Sequence, residues 1–254
     1  MKQNMVKAKL QQGQSVYGLL TPVADPIVVE ILALLGYDCY MLDCEHGPLG
    51  PSQAESFVRT CEAAGITPLA RVRSADPKLV LQFLDVGIMG VMLPGVRNAG
   101  DVEQLVEAVR YPPVGRRGMA PVRANDYLMG SMPAQEYIQY ANDQILIFPQ
   151  IELVEAVESL DTLLKVEGVD GYFVGPRDLS LSMGYTDGPN HPEVQEVINN
   201  VFTRTHEAGL FSGTVAFTGP DANALTKKGV GLLLTSINAL LKLGTDSYLG
   251  GAKA

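Results

Sequence analysis

Cysteine and positive charge are both scarce in this chain, and each scarcity removes a class of function. Three cysteines are present, Cys39, Cys44 and Cys61, with no CxxC spacing, so a zinc ribbon or a dithiol redox motif has no ligands to draw on. Cys39 and Cys44 stand in an apolar run and read as small buried hydrophobes. Lysine and arginine total 19 against 28 acidic residues, a net charge of -9; nucleic acid and anionic membrane surfaces reward the opposite balance. No apolar run approaches a bilayer-spanning length. The N-terminal MKQNMVKAKLQQGQ has lysines but no apolar core, so it is not read as a secretory signal and the cytoplasm is the expected compartment.

Two further absences narrow the chemistry. No Gly-rich dinucleotide turn follows the first strand, where LLTPVADP stands instead. Every lysine falls in an expected helix or near a terminus, so none stands at a strand end where a Schiff base would form. That disfavours covalent imine chemistry and leaves metal-assisted carbonyl chemistry as the stronger option.

What is present is a rhythm. Short β-branched runs alternate with helix-period segments: SVYGLLTP, YDCYMLDCEH, TPLARV, GVMLPGV, ILIFPQIE, GYFVGP, LFSGTVAF and GLLLTS each precede a helical stretch. Asp25-Pro26 and Asp76-Pro77 open helices, and Ser52 is the expected N-cap of the second. Eight βα units in 254 residues predict an α/β fold of the (β/α)8 TIM-barrel type, one domain over 1–254. A doubly wound open sheet is the alternative. One stretch, Val114 to Gln144, breaks the rhythm with a long connection holding Arg116, Arg117 and Arg123 and a helical candidate, PAQEYIQYAND. Connections of that length serve as lids or oligomer contacts, and the three arginines read as an oligomer contact ahead of an anion contact.

In such barrels the active site lies at the C-terminal ends of the strands. Those ends carry Asp43, Glu45 and His46 after the second strand, Arg71 and Arg73 after the third, Gln150 and Glu152 after the fifth, and Gly175-Pro176-Arg177-Asp178 after the sixth. Glu152 and Asp178 could hold Mg²⁺ or Mn²⁺, which favour oxygen ligands, or could each cap a following helical turn. His46 reads as a proton-transfer residue or as a structural histidine in a tight turn, while His191 and His206 read as structural or exposed. Arg71 could clamp a carboxylate or stabilise an oxyanion, or could pair with a strand-two carboxylate. Asp85, in QFLDVG, reads as a polar residue near a helix end.

The ordered set LDCEHGP, PLARV, LDVGIMGVMLPGV, RYPPVGRRG, PQIE and VGPRDLSLSMG resembles the HpcH/HpaI family of metal-dependent pyruvate aldolases over nearly the whole chain. The resemblance implies a divalent metal (Mg²⁺, Mn²⁺ or Co²⁺) on Glu152 and Asp178 with Gln150 beside them. It implies that His46 transfers the proton, that Asp85 orients it, and that Arg71 holds the keto or enolate oxygen. The backbone at Gly175-Pro176 and the turn from Asp178 would face the pyruvate carboxylate. The implied substrates are a 2-oxo acid and an aldehyde, and the implied assembly is a homo-oligomer, a hexamer or trimer, with the C-terminal segment INALLKLGTDSYL in the contacts. Two other functions fit the same residues: carbon–carbon bond formation with oxaloacetate decarboxylation, of the macrophomate synthase type, and metal-dependent oxoacid binding without catalysis. A CoA-thioester lyase would need a nucleotide-binding surface that the sequence does not display. The aldehyde would be selected by the loop after strand seven, Val215 to Thr218, and by the long loop.

Overall fold

The computed structural model describes residues 1–252. Its strands are β1 (Val16–Thr21), β2 (Cys39–Asp43), β3 (Thr67–Arg71), β4 (Gly90–Leu93), β5 (Leu146–Ile151), β6 (Gly171–Val174), β7 (Phe211–Val215) and β8 (Leu232–Thr235). They pair in chain order and β8 closes on β1, giving a parallel eight-stranded barrel. Parallel strands need a crossover between them, and helices supply it at each step. The strands are buried along almost their whole length because helices cover the outside and side chains fill the inside.

Period two decides which side chains meet where. In β5, Ile147 and Ile151 join the apolar layer under the helices, whereas Leu146 and Phe148 enter the barrel beside Met92 and Phe173. Continuing that alternation puts Gln150 and then Glu152 on the inward side at the C-terminal end. The same logic carries Met41 to Asp43 in β2 and Leu69 to Arg71 in β3. Three apolar columns therefore end in polar side chains at one mouth of the barrel.

The other mouth is plugged. A helix that the sequence rhythm did not predict, Met5–Gln11, is capped by Asn4, whose side chain accepts from the Lys7 amide at 3.1 Å. Its Val6 and Leu10 join the apolar cluster of the barrel interior. Asn4 also donates to the carbonyls of Met89 (2.9 Å) and Gln144 (2.8 Å). The charges here are matched: Lys7 meets Asp170 at 2.7 Å, Arg110 meets Asp170 at 2.8 Å, and Lys9 pairs with Asp38.

Asp25 and Asp76 cap their helices as the Asp-Pro pairs predict. Three details differ. Gly50, not Ser52, is the N-cap of Pro51–Ala64, with Pro51 filling the first helical position and the Gln53 side chain accepting from the Gly50 amide. The expected turn after β6 is a helix, Pro176–Ser182. In the long connection, Arg123–Leu128 forms a 3-10 turn ahead of the helix Ala134–Gln144. Its arginines have partners within the chain: Arg117 is buried against Asp85 and Arg123 pairs with Glu62, while Arg116 is exposed beside Glu107.

Candidate active site

Asp43 and Arg71 stand opposite each other in the β2–β3 register, so the arginine fork reaches the carboxylate directly. Arg71 Nε donates to Asp43 Oδ1 at 3.0 Å and Nη2 donates to Oδ2 at 2.7 Å. The third nitrogen, Nη1, lies 3.1 Å from Glu45 Oε2. The chain then turns back on itself, and the amides of Glu45 and His46 donate to Asp43 Oδ1 at 3.1 and 3.3 Å. Gly47 makes that turn possible, since a Cβ there would stand 2.4 Å from Pro22 Cβ and 2.8 Å from the Asp43 carbonyl. His46 projects from the turn with its side chain 65% exposed, and its Nε2 is 3.7 Å from Glu45 Oε2.

On the β5–β6 side, Glu152 accepts from the Gly95 amide at 2.7 Å and from the Gln150 side chain. Gly175 lets β6 close over the pair: a Cβ would lie 2.5 Å from Gln150 Nε2 and 2.7 Å from Glu152 Oε2. Pro176 begins the helix that holds Asp178 in its first turn, where the carboxylate is exposed.

Among the carboxyls at this mouth Asp43 is shifted one way, and Glu45 and Glu152 the other. Burial pushes the Asp43 carboxyl up, but the Arg71 hydrogen bonds and charge, with the two amides, hold it below the ordinary carboxylate range. Glu45 is raised, by burial first and then by Asp43 and Asp178, against the pull of Arg71 and His46. Glu152 is pushed up to about 7; burial is the main cause, and the negative charges of Glu45 and Asp178 add to it against the Gly95 amide and Arg71. Glu45, Glu152 and Asp178 therefore form an acidic group with too little positive charge near it. Gln150 Oε1 is buried beside this group and accepts no hydrogen bond.

The structure thus brings together His46, Arg71, Gln150, Glu152, Gly175, Pro176 and Asp178. It does not bring Asp85. The helix Pro77–Val86 runs back from the end of β3, so Asp85 falls toward the plugged mouth and accepts from Arg117 Nη2 at 3.0 Å. Burial raises its carboxyl more than Arg117 lowers it. Within one chain, the carboxylate facing His46 is Glu45. Two features had no counterpart in the sequence reading: the Gly95 amide on Glu152, and the three-donor role of Asp43 Oδ1. The PGV after β4 and the position of Asp43 at the last strand residue were the signals available for them.

A closed parallel barrel with acids, an arginine and a histidine gathered at the strand C-terminal ends defines a (β/α)8-barrel enzyme. The chain belongs to the HpcH/HpaI aldolase/citrate lyase family, whose sequence profile matches residues 16–236, and is thereby a carbon–carbon lyase. It is 33% identical to a hydroxypyruvate/pyruvate aldolase of Pseudomonas aeruginosa, over 98% of this chain and 92% of that one. It is 37% identical to a 4-hydroxy-2-oxo-heptane-1,7-dioate aldolase of Shigella sonnei, over 83% of this chain and 80% of that one. Its fold is similar to a crystal structure of an HpcH/HpaI aldolase from Desulfitobacterium hafniense, with TM-score 0.91 and 33% identity over 97% of this chain and 96% of the other.

Proposed function

We propose that the protein is a divalent-metal-dependent aldolase that cleaves or forms 4-hydroxy-2-oxo acids through a pyruvate enolate and an aldehyde. The observation that carries this reading is the under-compensated acidic group around Glu152, facing the Arg71 fork across the barrel mouth. The donor set fits a hard cation. Glu152 and Asp178 supply carboxylate oxygens, Gln150 Oε1 is a buried acceptor without a donor, and Gly175 leaves the space a Cβ would fill. Among the described residues no group of three or more His, Cys, Asp or Glu side chains converges as a metal site. The protein would therefore offer two carboxylates and leave the remaining positions to water and substrate, as Mg²⁺ sites commonly do.

A bound Mg²⁺, Mn²⁺ or Co²⁺ would act as a Lewis acid on the oxo acid. Arg71 presents Nη1 at the site and holds the keto oxygen as it gains negative charge. His46, exposed on its turn, moves the proton of the aldehyde or alcohol oxygen. The Gly175-Pro176 backbone and the turn at Asp178 receive the pyruvate carboxylate. Leu34 (87% exposed) and Leu35 (71%) at the end of the helix Pro26–Leu34, and Tyr248 (75%) in the helix Ile237–Ala252, leave apolar surface, which supports a homo-oligomer, a hexamer or trimer, with the C-terminal helix in the contacts.

The test is a screen of aldehydes with pyruvate on chelated protein, with and without each cation, beside an oxaloacetate decarboxylation assay. Aldol product formed only with cation supports the proposal. Product formed at an equal rate after exhaustive chelation contradicts it.

A further inference from the structure

We infer that Asp43 is a positioning residue for two catalytic groups at once, fixing both the Arg71 fork and the turn that carries His46. This rests on the enolate reading above but adds a residue to which that reading gives no part. Asp43 is the last residue of β2, faces inward, and its side chain is 7% exposed beside the 8% of Arg71. All of its acceptor capacity serves neighbours in the site. Oδ2 takes Arg71 Nη2, and Oδ1 takes Arg71 Nε together with the amides of Glu45 and His46.

One consequence follows from the shape of a guanidinium and a second from the two amides. Its five N–H donors lie in one plane, so fixing Nε and Nη2 on Asp43 fixes where Nη1 points. The nitrogen left over is the one at 3.1 Å from Glu45, on the side of Glu152 and Asp178. The Asp43 fork thus keeps Arg71 aimed while Glu45, half-buried and reached only through Nη1 and His46, is free to give way to substrate. The amide contacts do the same for His46, because they set the backbone from which the imidazole projects. Asp43 and Glu45 lie two residues apart and carry the same charge, yet one is a clamp and the other an exchangeable neighbour.

The experiment is a double-mutant cycle on proton exchange at the pyruvate methyl group, using Asp43→Asn, Arg71→Ala and the double variant, all loaded with Mn²⁺. Asn keeps the size and one acceptor oxygen but cannot hold both fork nitrogens by charge. Misplacement of about 1 Å can cost on the order of 10²-fold, so Asp43→Asn should slow exchange about 10²-fold. In the Arg71→Ala background the same change should cost less than about twofold, because Arg71 is gone and the oxygen that Asn keeps still accepts from the Glu45 and His46 amides. Equal losses in both backgrounds overturn the inference. A readout independent of turnover is the ¹⁵Nε signal of Arg71 in the unsubstituted protein, assigned by its loss in Arg71→Ala. A single slowly exchanging N–H is expected, and fast exchange with solvent contradicts the clamp whether or not Asp43→Asn folds. If the enolate reading itself is wrong, the unsubstituted protein shows no methyl exchange while the ¹⁵Nε signal stays protected, so the two failures are distinguishable.

Discussion

The two mouths of the barrel carry similar residue types and treat them in opposite ways. At the plugged mouth the central charges are matched: Arg110 donates to three backbone carbonyls and to Asp170, and Asp170 also accepts from the Ile147 amide and pairs with Lys7; only farther out does Arg117, paired with Asp85, keep Nε and Nη1 buried without a partner among the described residues. At the open mouth, Asp43 and Arg71 are matched, but Glu45, Glu152 and Asp178 crowd one another and Gln150 Oε1 is left unpaired. The arginines follow the same division. Arg110, Arg117 and Arg123 are paired with acids on the side of the plug, whereas Arg73, beyond β3, donates only to the Leu49 carbonyl. Balanced charge holds a fold; unbalanced charge at a strand-end mouth is a demand for something that is not protein.

The largest effect should come from removing the unbalanced acids. Glu152→Ala/Asp178→Ala should lower aldol turnover by about 10³-fold or more, the scale of several kcal/mol of lost charge stabilisation, while its melting temperature in chelator stays level or rises. A large fall in melting temperature would make these acids structural and erase the contrast between the mouths. His46→Ala divides the open mouth further. Aldol cleavage should fall about 10²–10⁴-fold, whereas oxaloacetate decarboxylation, which needs no proton removed from a hydroxyl group, should fall far less. Equal losses would give His46 a binding role.

The plugged mouth should answer in the other currency. Arg110→Ala strands Asp170 and three carbonyls, so it should destabilise by roughly 3–5 kcal/mol, read by denaturant unfolding, with kcat per folded molecule unchanged. A kcat loss without destabilisation would contradict the division. The smallest effect is a pH dependence. Glu152 has a folded pKa of about 7, raised from 4.5, so between those values the folded chain holds a proton that the unfolded chain releases. In chelator, this group should therefore lower stability as pH rises from about 4.5 to 7, by roughly 3 kcal/mol at most. Asp43, held below its ordinary value, acts in the opposite sense: its contribution is present above the ordinary carboxylate pKa and is lost on acidification. Glu152→Gln should flatten the first slope and leave the second.

Much of this was legible in the sequence because period two is a strong signal and the strand ends fall where polar residues interrupt apolar runs. TPLARV and ILIFPQIE located Arg71, Gln150 and Glu152 without further help. The helix Met5–Gln11 was not legible, since seven residues hold together there by burying Val6 and Leu10 in the barrel floor, a contact that no local pattern announces. The left-handed backbone at Asp126, Tyr127 and Leu128, with φ of 53°, 57° and 56°, was equally hidden, because those residues rarely adopt it. Asp85 shows what position in the sequence alone does not tell: within one chain the return direction of its helix takes it away from His46 to Arg117.

Whether the acidic group at the open mouth is a cation site is most directly read by Mn²⁺ titration of the chelated protein, followed by electron paramagnetic resonance at pH 8. The account predicts one Mn²⁺ bound per chain, no such site in Glu152→Ala/Asp178→Ala, and an unchanged site in Lys7→Ala. Tight binding of one Mn²⁺ by the double variant would contradict it.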